Sequence, residues 1–191
     1  NFERMLNGVW RGEQGLGALS GHSHMADLPR VLFLWLLHFI LPLSSLRYIY
    51  IFLCLLIGPL GMYQLLRYIL EHRTWSIEHE KATSSTLQVS KCVAFLGALF
   101  YVFNLGTVQQ FYTPFEMFTT QYAFLPWIIL ISVSYVLHHN LHHKKSLLFF
   151  TLVTLLAAPQ AYAAHLWYPF FGAYILFLIL ISLFSHAHET E

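Results

Sequence analysis

Residues 20–30, SGHSHMADLPR, place His22, His24, Asp27 and Arg30 within nine positions, directly ahead of an apolar run. A guanidinium grips phosphate oxygens with a bidentate fork, and a carboxylate within reach of a hydroxyl can take its proton. Such a set can position a phosphate and abstract a proton. A structural role competes with this one. Asp27 is also placed to cap a helix that begins near Pro29, with proline at a favoured early position. Arg11 and Glu13 lie upstream in the same polar segment and carry the same two chemistries, an anion contact and a candidate base.

A further carboxylate stands alone. In ALFYVFNLGTVQQFYTPFEMF, residues 98–118, Glu116 lies between two apolar stretches. It fits the start of a helix, where the dipole favours an acid. Around it, Tyr101, Phe111, Tyr112 and Phe115 have the make-up of an interfacial aromatic belt. It fits equally a substrate contact lining an external cavity, because acids near membrane depth are costly and tend to mark function. The histidines of HHNLHHKK, residues 138–145, pair His138 with His142 and His139 with His143, spacings that put two imidazoles on one helical face. With no acid or cysteine adjacent, and with Lys144 and Lys145 alongside, they read as a solvated or headgroup-facing cluster. No metal and no other cofactor is assigned.

The elements that must hold these groups follow from composition. The chain has 191 residues, 57% hydrophobic and 10% charged, with a formal net charge of +1. Soluble domains average about 25% charged residues, so this chain carries too little charge to cover a surface in water. Its basic residues are too few for nucleic-acid binding. Cys54 and Cys92 sit in apolar runs and read as packing residues. The chain opens on Asn1 and its first 28 residues read as the interior of a loop, as in an N-proximal piece of a longer protein.

We therefore expect an all-α polytopic transmembrane bundle of about five spans. Residues 1–44 form an external loop and an interfacial helix, since the run 30–41 is too short to cross about 30 Å of hydrocarbon. Residues 45–191 form the bundle. Its spans are 46–70, kinked at Gly58-Pro59 and Gly61, then 87–104, 119–137, 146–158 and 166–185. Lys and Arg concentrate in the connectors 71–86 and 138–145, which the positive-inside rule assigns to the cytoplasm. That puts residues 1–44 and 105–118 outside.

Several stretches carry a family likeness. LIGPLGMYQLLRYIL, then Leu99-Phe100-Tyr101-Val102-Phe103-Asn104, then TVQQFYTPFEMFTTQYAFLPW with Leu125-Pro126, resemble the early spans of the GT-C glycosyltransferase superfamily. Within it they resemble the arabinofuranosyltransferase-like and YfhO-like membrane proteins. Leu105 stands where that group's motif has proline. The resemblance implies sugar transfer from a polyprenyl-phosphate donor on the external face, with an acid of the first external loop as base. In that group the acid is expected ahead of the position matching Asn1, so Asp27 and Glu13 stand in for it by location. The expected partners are that donor, membrane lipids, and the rest of a longer chain or partner subunits. A transporter or lipid flippase, with a broken helix at Gly58-Pro59 or 146–158, and a non-catalytic envelope-assembly protein are the alternatives.

Overall fold

The computed structural model describes residues 27–77, 84–112, 116–137, 143–162 and 164–189. The described residues are helical nearly throughout, with no strand among them. In chain order the helices are α1 (Leu28–His38), α2 (Leu43–Ile77), α3 (Ser84–Phe103), α4 (Leu105–Tyr112), α5 (Glu116–Leu137), α6 (His143–Leu156) and α7 (Ala164–Glu189). A 3-10 turn, Ala158–Tyr162, joins α6 to α7.

Helix α1 starts as its sequence dictates, with Asp27 at the N-cap position and Pro29 in the first turn. It ends where the Phe39 and Ile40 amides fold back on the Leu36 and Leu37 carbonyls, just before Pro42, which has no N–H to continue the ladder. The chain then reverses and enters α2. This helix runs 35 residues without interruption, through Pro59. The helix continues through the Gly58-Pro59 position, and the two glycines serve close packing. A Cβ on Gly58 would enter the ring of Tyr122, and one on Gly61 would stand 2.5 Å from the Trp127 indole nitrogen.

Those contacts set the layout. Tyr50 meets Thr120, Gly58 meets Tyr122 and Gly61 meets Trp127, so numbers rise together and α2 lies parallel to α5. Helix α3 runs against both: Leu66 of α2 fills the notch at Gly97, and Tyr101, near the end of α3, donates to the Tyr122 carbonyl at 2.9 Å. Helix α6 is antiparallel to α5, with Val153 near its end and Ala157 just past it against Ile128 and Ile131. One cluster of buried side chains joins Tyr50, Cys54 and Ala123 across α2 and α5, and a second joins α5 to α6.

Several boundaries differ from the sequence reading for local reasons. The polar stretch after Phe103 was expected to be an external loop, yet it forms α4. Asn104 is the cause: its Oδ1 accepts the Thr107 amide at 3.0 Å, while its Nδ2 donates to the Tyr101 carbonyl at 2.7 Å. One side chain thus ends α3 and starts α4. The two basic connectors are shorter than expected, because α2 continues to Ile77, α3 begins at Ser84 and α6 begins at His143. Of the aromatic residues read as a belt, Tyr101 and Phe111 pack on Tyr122, Tyr101 stacked at 4.6 Å and Phe111 edge-on at 5.3 Å; Tyr112 is exposed, and Phe115 lies outside the described residues.

By length and composition two segments, Leu43–Glu71 and Phe118–Val136, are able to cross a membrane. The helices α3, α6 and α7 carry shorter apolar stretches. Large apolar side chains remain exposed on several helices, among them Leu56 at 61%, Leu96 at 64% and Phe100 at 75%.

Candidate functional site

The first turn of α1 brings Asp27 and Arg30 together. The Arg30 Nε donates to Asp27 Oδ1 at 2.7 Å and Nη2 donates to Oδ2, a bidentate pair. The spacing of three residues on a helix allows it. The Asp27 side chain makes no cap bond to a backbone amide; the carboxylate is turned to the guanidinium, while its main-chain carbonyl accepts the Val31 amide at 3.0 Å. The charged partner outcompetes the amide because a charge-assisted, two-pronged bond is the stronger one. Both side chains are largely shielded, 15% exposed for Arg30 and 25% for Asp27.

The pair sits against α2 and α5. The Arg30 guanidinium lies 5.9 Å from the centre of the Tyr50 ring, within cation–π range. Phe33, one turn further along α1, tilts against the same ring at 6.3 Å. The Tyr50 hydroxyl and Thr120 Oγ1 are 2.6 Å apart, which ties α2 to α5 beneath the arginine. Thr119 and Thr120 are fully buried. Next to the arginine is a cavity of about 160 Å³, walled by Phe33, Leu53, Ile57, Phe124 and Leu156 with Tyr50 and Arg30 at one side. A cation, paired with an acid, therefore stands at the edge of a greasy pocket formed where α1, α2, α5 and α6 converge.

This arrangement can do two things. The guanidinium, a planar fork on a partly buried stem, suits an oxyanion whose substituent is apolar. The carboxylate is a proton acceptor held within a few ångströms of the cation. Removing either member leaves a shielded charge without its partner, which costs more than the pair contributes.

Of the residues singled out in the sequence, Asp27 and Arg30 are brought together. Glu116 opens α5, one helical turn before Thr120; its side chain is outside the described residues. Arg11, Glu13, His22 and His24, along with His138, His139 and His142, also lie outside them. Among the described residues no three potential metal ligands cluster. Sequence reading missed Tyr50 and Thr120, which sit inside runs read only as spans. The signal available was the adjacent Thr119-Thr120 pair, two hydroxyls in an apolar helix where each needs a partner. Cys54 is buried beside Tyr50 as a packing residue, whereas Cys92 is exposed, and both are free thiols.

Compared with family models, curated proteins and solved structures, the chain matches none.

Proposed function

We propose that this chain is an integral membrane protein that transfers a sugar from a polyprenyl-phosphate donor, and that the site is the Asp27–Arg30 pair. The observation that carries the reading is a guanidinium, Arg30, at the edge of an apolar cavity and in bidentate contact with an acid, Asp27. A polyprenyl phosphate is chemically that combination, an anion on a hydrocarbon tail. Membrane residence is supported by the two long apolar segments and by the exposed apolar side chains, since soluble monomers rarely show apolar patches beyond a few hundred Å². We place residues 1–44 and 105–118 outside the cell and 71–86 and 138–145 in the cytoplasm, on the distribution of lysine and arginine.

In the proposed reaction the tail lies along the cavity wall of Phe33, Leu53 and Ile57, and Arg30 holds the phosphate. The acceptor's hydroxyl oxygen attacks the anomeric carbon. The bond from that carbon to the phosphate oxygen breaks, and the electron pair leaves with polyprenyl phosphate. Asp27 takes the acceptor's proton. Phosphate binding loosens the Arg30–Asp27 pair, which frees the carboxylate for that role. Arg11, Glu13, His22, His24 and Glu116 remain proposed donor or acceptor contacts.

The test is transfer of a labelled sugar from synthetic polyprenyl phosphate in proteoliposomes. Asp27→Asn lowers kcat by about 10²–10⁴, the range for a lost acid–base group, and Arg30→Gln raises KM for the donor. Transfer at the unsubstituted rate in both variants removes the pair from the mechanism.

A second reading, a transporter or flippase, has one observation of its own. Helix α6 stops at Leu156 and the chain continues as a 3-10 turn with Ala157 and Pro159 buried. Irregular backbone packed inside a bundle is where transporters place substrates. Substrate uptake without sugar transfer in the same proteoliposomes would favour it.

A further inference from the structure

A second cavity, of about 220 Å³, opens between α5, α6 and α7 at the far end of the molecule from Asp27, lined by Ile131, Ser132, Tyr135, Leu147, Phe150 and Tyr174. Its walls are mostly apolar, and two of its hydroxyls are engaged with protein: the Ser132 Oγ donates to the Ile128 carbonyl at 2.7 Å and meets the Tyr174 hydroxyl. It is smaller than the roughly 300–1,000 Å³ that encloses a whole small ligand. The volume suits a segment of flexible hydrocarbon instead. Val136, one residue from the end of α5, and Ser146, in the first turn of α6, border it. The cavity therefore lies where α5 and α6 meet the basic connector, and Lys145, exposed, directly precedes Ser146 with Lys144 before it.

We propose that this cavity holds one acyl chain of an anionic phospholipid, with the lipid phosphate against Lys145. Charge complementarity selects the headgroup: the exposed Lys145 adjoins Ser146 of the cavity lining, and residues 138–145 include no acid. The apolar walls select the chain. The site would pin the short helix α6 to α5 and α7 through a bound lipid. It rests on the membrane reading above and is independent of sugar transfer.

The experiment is thermal unfolding of the detergent-purified protein, titrated with phosphatidylglycerol or with phosphatidylcholine of identical chains. Inorganic phosphate serves as a third arm. Phosphatidylglycerol raises Tm saturably, and the other two do not. Lys145→Gln weakens the apparent affinity about fivefold, the worth of one lysine near an anionic surface. Leu147→Trp fills the cavity from a position that is 61% exposed, so it keeps the lipid-free Tm and loses the saturable rise. Equal responses to the two lipids, or a full response in both variants, overturn the proposal. A rise with inorganic phosphate alone equal to that with lipid overturns the acyl-chain assignment. Each of these outcomes leaves membrane residence standing. Solubility without detergent would instead remove the reading on which the site rests.

Discussion

Gly61 and Trp127 meet so closely that each explains the other. The Trp127 Nε1 donates to the Ile57 carbonyl at 3.1 Å, four residues before Gly61 in α2. On a helix, the side chain at that spacing stands over the carbonyl. Only a residue without one lets an indole in from the neighbouring helix. Gly61→Leu therefore loses the bond and overpacks the crossing, a cost of about 1–3 kcal/mol, seen as a lower Tm in detergent. Tyr122 offers the opposite case. Its ring is held by Gly58, Tyr101 and Phe111, but its hydroxyl is buried with no partner among the described residues. Tyr122→Phe removes an unsatisfied group and keeps the ring, so Tm holds or rises. A clear fall would show that the hydroxyl has a partner. At Asp27 and Arg30, stability should be strongly coupled. Either single alanine variant leaves a shielded charge, and the double variant costs less than the two singles combined, with a coupling of about 0.5–3 kcal/mol. Additive losses in a double-mutant cycle would mean the pair contributes nothing jointly.

At the scale of elements, apolar runs were enough to locate α2, α3, α5, α6 and α7, because long stretches without charge have few alternatives to helix in a chain of this composition. Helix α1 was legible from Asp27, Pro29 and the largely apolar run that follows, residues 30–41. Helix α4 was not, since LGTVQQFY has the polarity of a loop, and the helix depends on one capping side chain. Asn104→Ala removes the bonds that end α3 and begin α4 and costs about 1 kcal/mol. The accompanying readout is faster proteolysis between Asn104 and Glu116 in detergent; unchanged cleavage would show that packing on Tyr122 holds α4 without the cap. The candidate site was half legible. Asp27 and Arg30 are three apart in sequence, so their pairing could be read. Tyr50 and Thr120 are 70 positions apart, and only the parallel packing of α2 on α5 makes them neighbours. The same distance hid the role of Gly58 and Gly61, whose nature as close-approach points depends on the aromatic residues opposite.

For the whole molecule, the distribution of apolar surface is the governing feature. The interior of the described residues mixes small residues and aromatics such as Cys54, Ala123, Tyr50 and Tyr122 with a few aliphatics such as Leu65, Ile128 and Ile131, while many more leucines and phenylalanines are exposed. In hydrocarbon that is the economical arrangement, because helices associate through close packing and exchange little by burying leucine. The chain should stay in the membrane pellet through an alkaline carbonate wash and leave it only with detergent. Release by carbonate alone would contradict membrane residence and every proposal that depends on it.

Helix α2 has 35 residues, a rod of about 52 Å at 1.5 Å per residue, against a hydrocarbon core of about 30 Å. Its apolar segment, Leu43–Glu71, closes at the Arg67–Glu71 ion pair, where Arg67 Nε donates to Glu71 Oε1 at 2.7 Å, and the helix continues past it to Ile77 as an overhang. A small rigid protein spliced in helical register onto that overhang would inherit the orientation of the buried half. It would give electron cryomicroscopy of an otherwise featureless micelle a marker with a known bearing on Tyr50 and Arg30.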